Sequence, residues 1–129
     1  MLVSVRYIVD DLEAAIDFYT SLLGFTVDLH PGPGFAGLSH GDFKLLLSTP
    51  NGGVAAGPSL PDGSGPAPGG WLRFRMELRD IETTLNQLRA RGGKTRGAII
   101  TGHTGKMAII EDPAGNPVEL FQPDEGSGH

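Results

Sequence analysis

The stretch "GGWLRFRMELRDI", residues 69–81, alternates strictly. Leu72, Phe74, Met76 and Leu78 fall on one side of an extended chain, and Trp71, Arg73, Arg75 and Glu77 fall on the other. Side chains of a strand change face at every residue, so the pattern predicts a strand with one apolar face, running to Leu78. Asp80 then caps a helix, Ile81, Thr84, Leu85 and Leu88 recur at helical spacing, and Gly92 and Gly93 stop it. The polar face is unusual, because two arginines and a tryptophan stand where plain solvating residues would serve.

The same order of signals occurs once before. In "VSVRYIVDDLEAAIDFYTSLLGF" an alternating strand runs to Val9, Asp10 or Asp11 caps a helix, and Leu12, Ala15, Ile16, Tyr19 and Leu22/Leu23 form its stripe before Gly24. Asp11 and Asp80 are 69 residues apart, as are Gly24 and Gly93. The halves that follow also correspond. "FAGLSHGDFKLLLS" and "KMAIIEDPAGNPVELFQ" each read as strand, turn, strand, the turns marked by Gly, Pro, Asn and Asp. Setting Leu45, Leu46 and Leu47 against Val118, Glu119 and Leu120 gives an offset of 73, so about four extra residues belong in the second module's loops, around "TRGAIITGHTG". The helix stripes are expected to pack on Val5, Tyr7, Leu45, Leu47, Phe74, Met76, Val118 and Leu120 as core.

The boundaries that follow are module one at about 1–48, a Gly/Pro-rich linker or lid at about 49–70, module two at about 71–123 and a disordered tail at 124–129. A linker of that length without strand or helix pattern is usually a functional loop.

Composition narrows the function. A net charge of −5 without a Lys/Arg cluster argues against nucleic acid as a partner. Without cysteine there is neither a disulfide framework, a thiolate metal site nor a thiol nucleophile, which suits a cytoplasmic protein. No apolar run reaches the roughly 18 residues of a membrane span, and "MLVSVRYIV" reads as strand rather than signal peptide. "GPGFAG", residues 32–37, has dinucleotide-fingerprint spacing, but strand and turn follow it where a helix is needed, so it is rejected.

A duplicated strand–helix–three-strand module, with "VDDLEAAIDFYTSLLGF" early and "EDPAGNPVELFQP" late, resembles the vicinal oxygen chelate superfamily. That superfamily includes glyoxalase I, extradiol dioxygenases, fosfomycin resistance proteins and bleomycin resistance proteins. The resemblance covers residues 1 to about 123 and implies an α+β fold: two βαβββ modules in tandem, forming a cup-shaped sheet with helices on the outer face. It also implies a divalent metal held by His or Glu on the first and last strand of each module, the first ligand lying seven residues before the capping Asp. Those positions in this chain are Ser4, Arg73, Leu46 and Glu119, and the repeat itself pairs Ser4 with Arg73 and Leu46 with Glu119. Leucine donates no lone pair and a guanidinium repels a cation, so one ligand of four is kept and neither a metal nor another cofactor is expected.

The resemblance then favours a metal-free protein of the bleomycin-resistance kind, which sequesters a small anionic or aromatic ligand. Its binding residues would be Arg73, Glu119, Arg75, Arg6, Trp71, Leu46 and Ser4, with Ile8 adding apolar surface, residues 49–70 acting as a lid, and a homodimer as the assembly. Arg73 would anchor the ligand and Glu119 orient it or act as a base. The alternative for that pair is an ion pair filling the vacated metal position. Arg75 and its repeat partner Arg6 either enter the cup or solvate its rim, and Trp71 either stacks on a ligand or packs under the linker. Two enzymatic alternatives stay open: a glyoxalase or dioxygenase with an atypical metal site using Glu119 and His103 or His40, and metal-independent proton transfer by Glu119 with Arg73 as oxyanion stabiliser. His30, His40 and His103 fall outside the expected ligand positions and form no metal-binding pair.

Overall fold

The computed structural model describes residues 1–51 and 57–125; the middle of the expected lid, 52–56, and most of the expected tail, 126–129, lie outside the described residues. The element order is β1 (Ser4–Ile8), α1 (Leu12–Asp17) continuing as a π-helical turn (Phe18–Leu22), β2 (Thr26–Gly32), β3 (Phe35–His40) and β4 (Phe43–Ser48), then β5 (Arg75–Glu77), α2 (Ile81–Ala90), β6 (Lys94–Thr101), β7 (Gly105–Glu111) and β8 (Pro117–Pro123). The chain is therefore α+β, with the βαβββ order occurring twice. Among the described residues no helix is long and apolar enough to cross a membrane.

Each copy of the order builds one four-stranded mixed sheet, β1-β4-β3-β2 in the first unit and β5-β8-β7-β6 in the second. The first strand runs parallel to the last, and the other pairs are antiparallel. A parallel neighbour needs a crossover connection, which the helix and two further strands supply. The first unit comprises Met1–Gly69 with the short turn Pro113–Asn116, and the second comprises Gly70–Asp112 with the chain from Pro117 on.

Both helices start as the sequence predicts. Asp11 Oδ1 accepts from the Ala14 amide at 3.1 Å, and Asp80 Oδ1 accepts from the Thr83 amide at 3.2 Å. Each cap satisfies an amide that the first helical turn leaves open. Helix α1 ends at Gly24, which takes φ +77°, a value a Cβ would strain. Its last turn widens to π geometry, which the spacing did not foretell; there Phe18 and Tyr19 are both buried, their rings edge to face at 5.0 Å.

The cores follow the alternating pattern. Leu12, Ala15, Tyr19, Tyr7, Leu45 and Leu47 are buried in the first unit, and Ile81, Leu85, Leu88, Ile110, Val118 and Leu120 in the second. Each buried Leu, Ile or Val side chain among them contributes about 1.5–3 kcal/mol by leaving water. The face of each sheet turned away from these residues carries the alternate positions.

The strand expected at 71–78 is cut short. Only Arg75–Glu77 is ladder strand, Leu72 is 87% exposed instead of facing the core, and Phe74 and Met76 are half-buried. The cause lies on β8. The Glu119 amide donates to the Phe74 carbonyl at 3.0 Å, and two residues earlier the donor would be that of Pro117, which has none. In the first unit Lys44 holds the matching place, and β1 extends back to Ser4.

Candidate functional site

The register of the two parallel pairs places the sites. Arg6 stands opposite Leu46 and Arg75 opposite Glu119, so the offsets of 69 and 73 found in the sequence coincide in a ladder position of each unit. The extra residues also fall as expected. Val27 pairs with Leu38 and Thr95 with Ile110, which makes the second hairpin four residues longer, with a register shift between Arg96 and Ile100.

Residues directly opposite one another across strands share a face. On the second sheet one row therefore runs Arg75, Glu119, Ile109, Arg96, on the side away from Val118 and Leu120. On that face Arg73 Nε donates to Glu119 Oε1 at 2.9 Å, and its Nη1 donates to the Trp71 carbonyl at 3.2 Å. The two side chains are 28% and 17% exposed, so the pair is mostly withdrawn from water. Arg75 instead has its guanidinium carbon over the ring of Phe121, 4.2 Å from the centroid.

A second pair was not legible in the sequence. Arg96 Nε donates to Glu111 Oε2 at 2.7 Å, its Nη1 donates to the Gly70 carbonyl, and its guanidinium carbon sits 4.6 Å from the Trp71 ring. Arg73 and Arg96 thus do the same thing, each held between a carboxylate and a carbonyl of the Gly70–Trp71 segment. Trp71 is not packed under the linker; it is 66% exposed, with Arg96 on its ring. A signal for this pair exists in the repeat. The first unit has Asp28 and Ser39 on the matching strands, joined by a 3.0 Å hydrogen bond, with Lys44 Nζ 3.7 Å from Asp28.

The other residues singled out in the sequence lie in the first unit. Ser4 and Arg6 are exposed on β1, and Leu46 is half-buried on β4 beside Gly37. A Cβ on Gly37 would come 3.3 Å from Leu29 Cγ and 3.8 Å from Leu46 Cδ2, so these two leucines flank the glycine on this face. Beyond Arg6 this row is apolar, with Leu46, Gly37 and Leu29 where the second unit has Glu119, Ile109 and Arg96. Asn116, in the Pro113–Asn116 turn, is buried; its amide donates to the Ile8 carbonyl at 2.7 Å and its carbonyl accepts from the Gly69 amide at 2.8 Å. That clamp fixes the end of the linker beside β1.

The donor set at the four positions where metal ligands are expected from the sequence is a hydroxyl, a methyl-ended side chain, a guanidinium and one carboxylate, and Arg73 already holds that carboxylate. Among the described residues no three His, Asp or Glu side chains gather as a metal would require. His30 Nε2 is 3.4 Å from Glu13, His40 lies 5.4 Å from the Phe25 ring, and His103 is exposed in the turn between β6 and β7.

Two βαβββ units, each with its first strand parallel to its last, define the vicinal oxygen chelate class. A profile of the Glyoxalase/Bleomycin resistance protein/Dioxygenase superfamily matches residues 2–120, and the chain belongs to that superfamily. It is 31% identical over 124 residues to a "Putative glyoxylase CFP32" of Mycobacterium tuberculosis (strain CDC 1551 / Oshkosh), covering 92% of this chain and 44% of the relative. The chain thus spans less than half the length of that curated relative. Among solved structures it is similar to TnmS3, an antibiotic binding protein from Streptomyces sp. CB03234, with TM-score 0.67, 26% identity and coverage of 96% of this chain and 97% of that one. It is also similar to a superfamily member from Sphaerobacter thermophilus DSM 20745, with TM-score 0.70, 25% identity and coverage of 95% and 97%.

Proposed function

We propose that this chain is a metal-free small-molecule-binding protein, which takes up an anionic or aromatic ligand and sequesters it without making or breaking a bond. The observation that carries the reading is the Arg73–Glu119 ion pair, 2.9 Å long, at the place where the family's second module would supply two metal ligands. A divalent cation there would have to displace a guanidinium from the one carboxylate and then sit beside that positive charge. Ser4 and Leu46 add no anionic donor. The fold is equally at home with catalysis, so the residues and not the family decide.

The candidate contacts are aromatic and cationic: the exposed indole of Trp71, the guanidinium of Arg75, and the rest of the set formed by Arg73, Glu119, Arg6, Leu46 and Ser4. The likeness to an antibiotic binding protein supports a sequestering role, and the relative named a glyoxylase supports the enzymatic alternative. A thermal-shift series on chelator-treated protein, adding Mn²⁺, Co²⁺, Ni²⁺ and Zn²⁺ in turn, tests the reading. A ligand at about 100 times its dissociation constant stabilises a fold by about 2.7 kcal/mol, so binding would be plain. The expected result is no shift; a saturable one-to-one shift abolished by Glu119→Ala would overturn it.

A further inference from the structure

We infer that Arg75, laid on the ring of Phe121, is the residue that takes an anionic ligand's carboxylate, and that Arg73 and Arg96 are positioning residues. The inference rests on the binding function proposed above and names the ionic group of the ligand and its receptor. Three guanidinium groups lie on this face of the second sheet, and their commitments differ. Arg73 is bonded to Glu119 and to the Trp71 carbonyl, and Arg96 to Glu111 and the Gly70 carbonyl. Each of these two charges is neutralised, and its edge is in use. The Arg75 guanidinium makes no ion pair or hydrogen bond to any described residue, Glu77 on the same strand included.

Its guanidinium carbon lies over the Phe121 ring, 4.2 Å from the centroid. A guanidinium binds aromatic rings with its plane and carboxylates with its edge. Contact with Phe121 therefore holds the group while its N–H groups make no hydrogen bond to a described residue, which lowers the entropy lost when a carboxylate is gripped by two of them. The repeat gives the contrast. In the first unit Arg6 holds the same ladder position, but the place of Phe121 is taken by Ser48, and among the described residues no ring carries that guanidinium. The ligand class is thus a planar carboxylate, gripped side-on, in preference to a neutral aromatic of the same shape.

Calorimetry with 2-naphthoate and its neutral analogue 2-naphthamide on the full chain tests this. The wild type should bind 2-naphthoate more tightly. Arg75→Gln should weaken it about tenfold or more, the loss of a charge-assisted pair of bonds. Arg75→Lys, which keeps the charge but loses the planar edge, should fail to restore it, and Phe121→Leu should weaken it severalfold. Arg89→Gln, on the exposed side of α2, controls for net charge and should change nothing. Equal affinity for both compounds, or 2-naphthoate binding that survives Arg75→Gln, would overturn the assignment while leaving a binding protein. Failure of both compounds to bind would overturn the assignment together with the aromatic-ligand function.

Discussion

Arg73 Nε and Glu119 Oε1 lie 2.9 Å apart, tying the chain just before β5 to β8 and bringing together two residues 46 positions apart. The pair is mostly buried, so removing one member strands the other. Arg73→Met and Glu119→Leu should each destabilise the fold by about 1–3 kcal/mol. The double variant should recover much of that loss, because an apolar pair needs no desolvated charge. Urea denaturation of the four proteins measures the cycle; additive losses would mean that the two groups do not depend on each other.

If Glu119 served as a base or held a metal, changing its carboxylate to an amide would abolish function. A structural partner of Arg73 tolerates the change. Glu119→Gln should therefore alter the dissociation constant for 2-naphthoate by less than about threefold, which is under 1 kcal/mol. A tenfold loss would point to direct participation.

Gly105 opens β7 where the backbone of Gln122 and Pro123 runs against it, so that an added Cβ would overlap the Gln122 carbonyl oxygen. Backbone cannot rotate aside as a flexible side chain does. Gly105→Ala should cost about 1–3 kcal/mol, the usual range for overpacking, read as a lowered urea midpoint with an unchanged slope. An unaffected midpoint would show that the hairpin gives way there.

Asp80 responds to pH. The hydroxyl of Thr83 and then its amide donate to the carboxylate and hold its pKa below the ordinary value of 3.8. A depressed folded pKa gives stability that is fully present above the unfolded value and is lost as pH falls through the folded one. Asp80→Ala should lower the Tm at neutral pH, and its difference from the wild type should shrink as the pH falls below about 4. A difference independent of pH would assign the loss to something other than the charged cap.

The repeated order of elements was readable because it rests on local rules: alternation in strands, Asp at both helix starts, glycine at their ends. The two offsets taken from the sequence hold between the units, with Arg6 opposite Leu46 and Arg75 opposite Glu119. What escaped reading depends on partners. The shortening of β5 comes from the missing amide of Pro117, a residue of another strand. The seating of Trp71 against Arg96 needs the bulged β6 in its actual register, and no alternation of residues 69–81 reveals it. Asn116 looked like turn chemistry alone, yet its side chain clamps Ile8 and Gly69. Arg73 was expected to face a ligand or to pair with Glu119, and only coordinates show that its edge is spent on the pair and on a carbonyl.

Binding without a metal is the central claim, and a paired titration addresses it most directly. 2-Naphthoate is titrated calorimetrically into chelator-treated protein, once in excess EDTA and once with equimolar Mn²⁺ or Ni²⁺ in place of the chelator. The account predicts one-to-one binding with the same dissociation constant in both. Binding that appears only when metal is supplied would contradict it and return Glu119 to the role of a metal ligand.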